Sequence, residues 1–70
     1  MKKVRIVTEY ITLGQFLKFV NLIGNGGEVK EYLSRNMIIV NGEEENRRGR
    51  KLYSKDQVIV GNEKYEIVDI

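Results

Sequence analysis

A chain of 70 residues has room for one domain, and a domain this small buries only about 60% of the surface its unfolded form exposes, so any core must be compact. With 41% hydrophobic and 31% charged residues, the composition excludes a disordered tail and fits an ordinary globular domain. Twelve basic against ten acidic residues leave a net charge of +2, so attraction to an anionic partner must come from how charge is distributed, not from its total. The absence of cysteine removes disulfides, thiolate chemistry and cysteine metal sites, which suits a reducing cytoplasm.

Residues 3–7 alternate, with Val4 and Ile6 on one face and Lys3 and Arg5 on the other, which predicts a half-buried strand. The basic start resembles a signal peptide, but Arg5 and Glu9 interrupt its apolar stretch, so it is read as part of the fold. Thr12 precedes Leu13, Phe16, Leu17, Val20 and Ile23 at the three-and-four spacing of an amphipathic helix. Thr12 and Gln15 together have the form of a capping box. This first helix is expected to end near Gly24, in the run Gly24, Asn25, Gly26, Gly27.

Residues 28–35 place Val29, Tyr32 and Leu33 on one helical face, with Glu28 in the first turn and Arg35 in the last, and Arg35 is expected to pair with Glu31. The β-branched run at 37–40 predicts a strand, and Asn41-Gly42 a tight hairpin into a strand leaving Glu43. Ser54, Lys55 and Asp56 predict a turn before a strand at 57–60, and Gly61-Asn62 another turn before a strand at 64–68. The expected fold class is α+β, with two short helices on a small, mostly antiparallel sheet. The longest aliphatic run, 37–40, is far below the roughly 20 residues of a membrane helix, so a soluble protein is expected.

Four of the five residues at 47–51 are cationic, around the single Gly49. A packed core cannot hold three guanidiniums and an ammonium side by side without carboxylates to replace their hydration, so this run belongs in water or against an anion. A solvated loop paired with Glu43, Glu44 and Glu45 and a phosphate-binding loop both fit that requirement. If the loop holds phosphate, Arg47, Arg48 and Arg50 are its clamps and Lys51 a supporting charge. Gly49 either makes the turn or lets the backbone approach a partner closely. The three glutamates must then point away or orient the arginines.

The segments TLGQFLK at 12–18, GGEVKEYLSRNMIIVNGE at 26–43 and RRGRKLYSKDQVIV at 47–60 resemble the S4 RNA-binding domain. Within that family the pattern of GG-x-x-K, VNGE and RRGRK is most similar to the small free-standing S4-like proteins sometimes called the YaaA family. The resemblance spans about two-thirds of the chain, and each motif is weak alone. It implies an α-L fold forming a single S4-like domain over residues 1–70. It further implies binding of structured RNA through the helical face and the adjoining loop, with free-standing members associated with maturation of the large ribosomal subunit. Thr12 and Gly14 stand around Leu13 where many S4 domains carry an arginine and an aspartate, and Gly26-Gly27 replaces a usual serine-arginine pair.

With two usual basic contacts missing, the RNA-facing charge is expected at Arg47, Arg48, Arg50 and Lys51, with Lys18 and Lys30. Gln15 joins Lys18 on the face of the first helix opposite its apolar stripe, over a flat surface left by Gly14, although the cap at Thr12 competes for it. Lys30 lies near the Gly26-Gly27 start of the second helix, where free amides favour an anion. Tyr53 is assigned to sheet packing ahead of base stacking. The expected partner is structured RNA, ribosomal RNA or an assembling ribosomal subunit, bound by a cytoplasmic monomer with no membrane contact. No catalytic group, metal or cofactor is expected, since histidine and cysteine are absent and no acid spacing forms an acid-base pair. The alternative is a protein-interaction module using a sheet edge or the helical face around Phe19 and Leu22, although those two side chains are expected to close the core against the first strand.

Overall fold

A computed structural model describes residues 1–69. Strand β1 (Lys2–Arg5) and a short strand β2 (Tyr10–Thr12) lead into helix α1 (Leu13–Phe19). A 3-10 turn at Gly26–Glu28 runs into helix α2 (Val29–Arg35). Strands β3 (Ile38–Val40), β4 (Glu43–Glu44), β5 (Lys51–Tyr53), β6 (Gln57–Val60) and β7 (Glu63–Val68) complete the chain. A five-stranded sheet runs in the order β1-β7-β6-β3-β4, antiparallel except for the parallel pair β1 and β7, while β2 and β5 form a separate antiparallel ribbon. This is the expected α+β architecture of two short helices on a mostly antiparallel sheet.

The alternation at the start behaves as expected: Val4 and Ile6 are buried while Lys3 and Arg5 face water. On α1, Leu13, Phe16 and Leu17 have no exposed surface, and the Phe16 ring meets Tyr65 of β7 edge-on with centroids 5.1 Å apart. The capping box is present. Thr12 Oγ1 accepts from Gln15 N and Gln15 Oε1 accepts from Thr12 N.

Helix α1 stops earlier than the glycine run predicts. Asn21 adopts φ +64°, its N–H donates to Lys18 O, and Leu22 N donates to Leu17 O, so a left-handed asparagine closes a Schellman motif one residue after the Val20 cap. The Gly24 to Gly27 stretch starts α2 instead. Glu28 Oε1 accepts from Gly24 N and Asn25 N, and Asn25 Oδ1 accepts from Gly27 N. The early stop also corrects the expectation for Phe19, which is 63% exposed, whereas Leu22 does pack against the core.

Asn41 and Gly42 both have positive φ, the type I′ geometry that suits the twist of the β3-β4 hairpin. The Asn41 amide spans to the next hairpin, donating to Asp56 Oδ1 and accepting from Gln57 N. Asp56 makes the expected turn, its Oδ2 accepting from Tyr53 N. The β2-β5 ribbon was not predicted. Its triplets Tyr10-Ile11-Thr12 and Lys51-Leu52-Tyr53 pair in register with Ile11 opposite Leu52, Leu52 lying fully buried under the ribbon.

Candidate nucleic-acid interface

The basic loop is organised from below by Glu45. Its backbone N–H donates to Ile38 O, which pulls the residue against β3 and leaves it 6% exposed. Glu45 Oε2 accepts from Asn46 N at 3.1 Å, Arg47 N at 3.0 Å and Arg47 Nε at 2.9 Å. Its Oε1 accepts from Arg47 Nη2 at 3.0 Å and Arg50 Nη1 at 2.8 Å. One carboxylate thus fixes two arginines and the backbone leading into the first of them, its oxygens satisfied by guanidinium and amide donors. Glu43 and Glu44 stay exposed on β4.

The loop is also seated on α1. Leu13 N donates to Arg50 O and Gly14 N to Arg48 O, so the first amides of the helix are satisfied by loop carbonyls. Gly14 is therefore buried rather than a flat surface for a partner: a Cβ there would lie 3.5 Å from Arg48 O and 3.6 Å from Val29 Cγ1. Both distances are ordinary van der Waals contacts, so the junction of loop and α2 would admit an alanine here and nothing in the structure requires this glycine. Arg50 N donates to Arg47 O across a turn centred on Arg48 and Gly49, and a side chain at Gly49 would meet open space. Gly49 is a turn residue with no need of positive φ.

Arg48 and Lys51 are exposed and outside the Glu45 network. Arg48 Nη2 reaches only Gly26 O, at 3.5 Å, linking the loop to the start of α2. Lys51 Nζ sits 4.9 Å from the Tyr10 ring centroid. The structure thus brings Arg47, Arg48, Arg50 and Lys51 together at the N-terminus of α1. Gln15 is exposed there but engaged in the cap, and Lys18 lies a turn further along, lining with Gln15, Tyr10 and Phe19 a separate shallow recess. Lys30 is exposed on α2 with no hydrogen bond or ion pair among the described residues. The amide-rich anion site expected beside it is largely taken up by the Asn25 and Glu28 side chains. Arg35 pairs loosely with Glu31, as expected, at 3.8 Å.

Sequence reasoning missed Tyr10, whose ring packs against Tyr53 at 5.7 Å across the ribbon. It also left Glu45 undistinguished from its neighbours. The available signal was spacing: an acid two residues before Arg47 and five before Arg50 places both guanidiniums within reach once the chain turns between them.

Hydrogen bonds from the Arg47 side chain, supported by Arg50 and the Arg47 amide, hold the Glu45 carboxyl well below the usual carboxylate range, against the upward push of burial. Because the folded pKa is depressed, the group binds more protons in the unfolded chain, so its stabilisation is present above the ordinary glutamate value of about 4.3 and is lost as pH falls below it. Denaturant midpoints measured from pH 7 down to 3 are expected to fall in the acid range. Glu45→Gln should flatten that part of the profile, and an unchanged profile would remove Glu45 as the cause.

A family described as the S4 domain matches residues 4–68. The chain is also similar to a Bacillus subtilis (strain 168) protein called "Probable ribosome maturation protein RlbA", with 49% identity over 67 residues that cover 94% of each chain. The match runs from β1 to β7 and takes in both helices, the VNG hairpin and the loop seated on α1, and on that basis the chain belongs to the S4 domain family.

Proposed function

We propose that this chain is a non-catalytic RNA-binding protein that grips structured RNA through residues 47–51 and the adjoining face of α1 and α2, acting on ribosomal RNA during maturation of the large subunit. The carrying observation is the carboxylate-fixed loop. Glu45 holds Arg47, Arg50 and the backbone entering the loop in place, so that part has little freedom left to lose on binding, while Arg48 and Lys51 remain free to reach phosphates. A-form RNA offers phosphates and 2′-hydroxyls more readily than base edges, and a pre-set guanidinium array suits that surface. The name of the Bacillus relative supports the ribosomal setting, and membership of the S4 family supports RNA. The reading includes a cytoplasmic monomer, and no helix among the described residues is long and apolar enough to cross a membrane.

With phosphate contacts from the four bases Arg47, Arg48, Arg50 and Lys51, the logarithm of affinity should fall with the logarithm of salt at a slope of about −3. Anisotropy titrations with a structured ribosomal RNA fragment, matched duplex DNA and single-stranded RNA are expected to show that slope and a preference for the structured RNA. The rival reading, a protein-interaction module, draws on Phe19 and Val7, exposed at 63% and 82%. Absence of binding to all three nucleic acids at low salt would favour it.

A further inference from the structure

The outer face of the β2-β5 ribbon carries two tyrosines that the core does not use. Ile11 and Leu52 turn inward, and the alternation of a strand puts Tyr10, Tyr53 and Lys51 on the opposite side. Tyr10 is 36% and Tyr53 42% exposed, and their planes meet at 48° with centroids 5.7 Å apart, so the rings pack on each other without being covered by the core. Lys51 Nζ, 4.9 Å from the Tyr10 centroid, covers that ring with its ammonium, so Tyr53 is the more accessible of the two. Tyr53 also closes one end of a shallow recess lined by Arg47, Gly49, Arg50 and Lys51.

An open aromatic face bordered by cations matches a nucleotide, whose base needs a stacking surface and whose phosphate needs a positive charge within a few ångströms. A fully paired helix offers no free base face at that position, so the ligand feature must be an unpaired nucleotide. Resting on the RNA-binding reading above, we propose that Tyr53, backed by Tyr10 and flanked by Lys51, is a stacking platform for one unpaired RNA base beside a helical segment held by the basic loop. Cross-strand packing of the two rings stabilises the ribbon in any case, but it does not require their outer faces to remain bare beside the basic recess.

The test uses three RNA hairpins: fully paired, carrying a single-nucleotide bulge, and carrying the same bulge with an abasic residue. The bulged base is expected to raise affinity about tenfold over the abasic form, the lower part of the range for stacking on an aromatic side chain. With 2-aminopurine at the bulge, binding should quench its fluorescence. Tyr53→Phe should keep both effects, and Tyr53→Thr, which retains strand preference, should lose both while binding the paired hairpin as before. The abasic comparison and the quenching are read on unaltered protein, so the proposal does not depend on Tyr53→Thr remaining folded. Equal affinity for base and abasic bulges, or no quenching, overturns the platform while salt-dependent binding to the paired hairpin leaves the RNA reading intact. Failure to bind any of the three at low salt overturns both.

Discussion

Replacing Arg47 and Arg50 together by glutamine is expected to lower the midpoint of thermal unfolding at neutral pH by roughly 10–20 °C, an effect that loop charges on a solvated hairpin would not produce. The reason lies in Glu45. Once both guanidiniums are gone, a carboxylate that is 6% exposed keeps only the amides of Asn46 and Arg47 as donors. A buried charge stripped of its partners costs about 2–3 kcal/mol, and a domain of this size shifts by roughly 4–8 °C per kcal/mol. Adding Glu45→Gln to the same protein should restore most of the loss, because removing both sides of a buried pair is far less costly than removing one. The deficit should also shrink as the pH falls, beginning above the ordinary glutamate value, because burial without the guanidiniums pushes the orphaned carboxyl up and a proton then removes its charge. Thermal melts of the single, double and triple variants at two pH values decide the matter. If the double variant melts like the parent, the network is ornamental.

The second large effect falls on binding. Arg48→Gln with Lys51→Gln should leave the melting temperature within a few degrees, since neither side chain is held by Glu45. The same pair should reduce affinity for structured RNA by roughly 50-fold at about 0.1 M salt, because each lost phosphate contact forfeits close to a factor of eight at that concentration. The salt slope should become shallower by about two units. Anisotropy titration across salt concentrations measures both numbers, and an unaltered slope would move the phosphate contacts away from this loop. Arginine removal is therefore not one experiment. Arg48 and Lys51 report on the ligand, while Arg47 and Arg50 report on the ligand and the fold together.

That distinction was legible in the sequence only through the spacing of Glu45 to Arg47 and Arg50, whereas much else was plain. Thr12 and Gln15 announce the start of α1 because a capping box is local chemistry within four residues, and Asn41-Gly42 announces its turn because few other pairs tolerate two positive φ values. The VNG and K-D-Q-V-I-V segments carry the family resemblance, and the strands they predict are where expected. What failed to show was non-local. The β2-β5 ribbon joins triplets about 40 residues apart, too short for a period of two to register, and it lies beside the contacts that seat the loop on α1. Asn21 stopped α1 because a left-handed asparagine competed with the glycine run and won three residues sooner. The three consecutive glutamates look alike in sequence, and only the hydrogen bond from Glu45 N to Ile38 O turns the third of them inward.

The parallel pairing of β1 with β7 bears on how the chain reaches its folded state. Lys3 meets Glu66 at a sequence separation of 63, and Val4 and Ile6 depend on that edge for their burial. Both helices and the β3-β4 hairpin can form from local contacts as the polypeptide leaves the ribosome, but β1 has no strand partner until residues 63–68 have emerged. The first-made strand is thus the last to be placed, and closing so long a loop costs several times the thermal energy before any pairing repays it. Val4 and Ile6 stay uncovered until that pairing forms. Pairing of β1 with β7 is therefore the non-local step expected to limit the rate of folding.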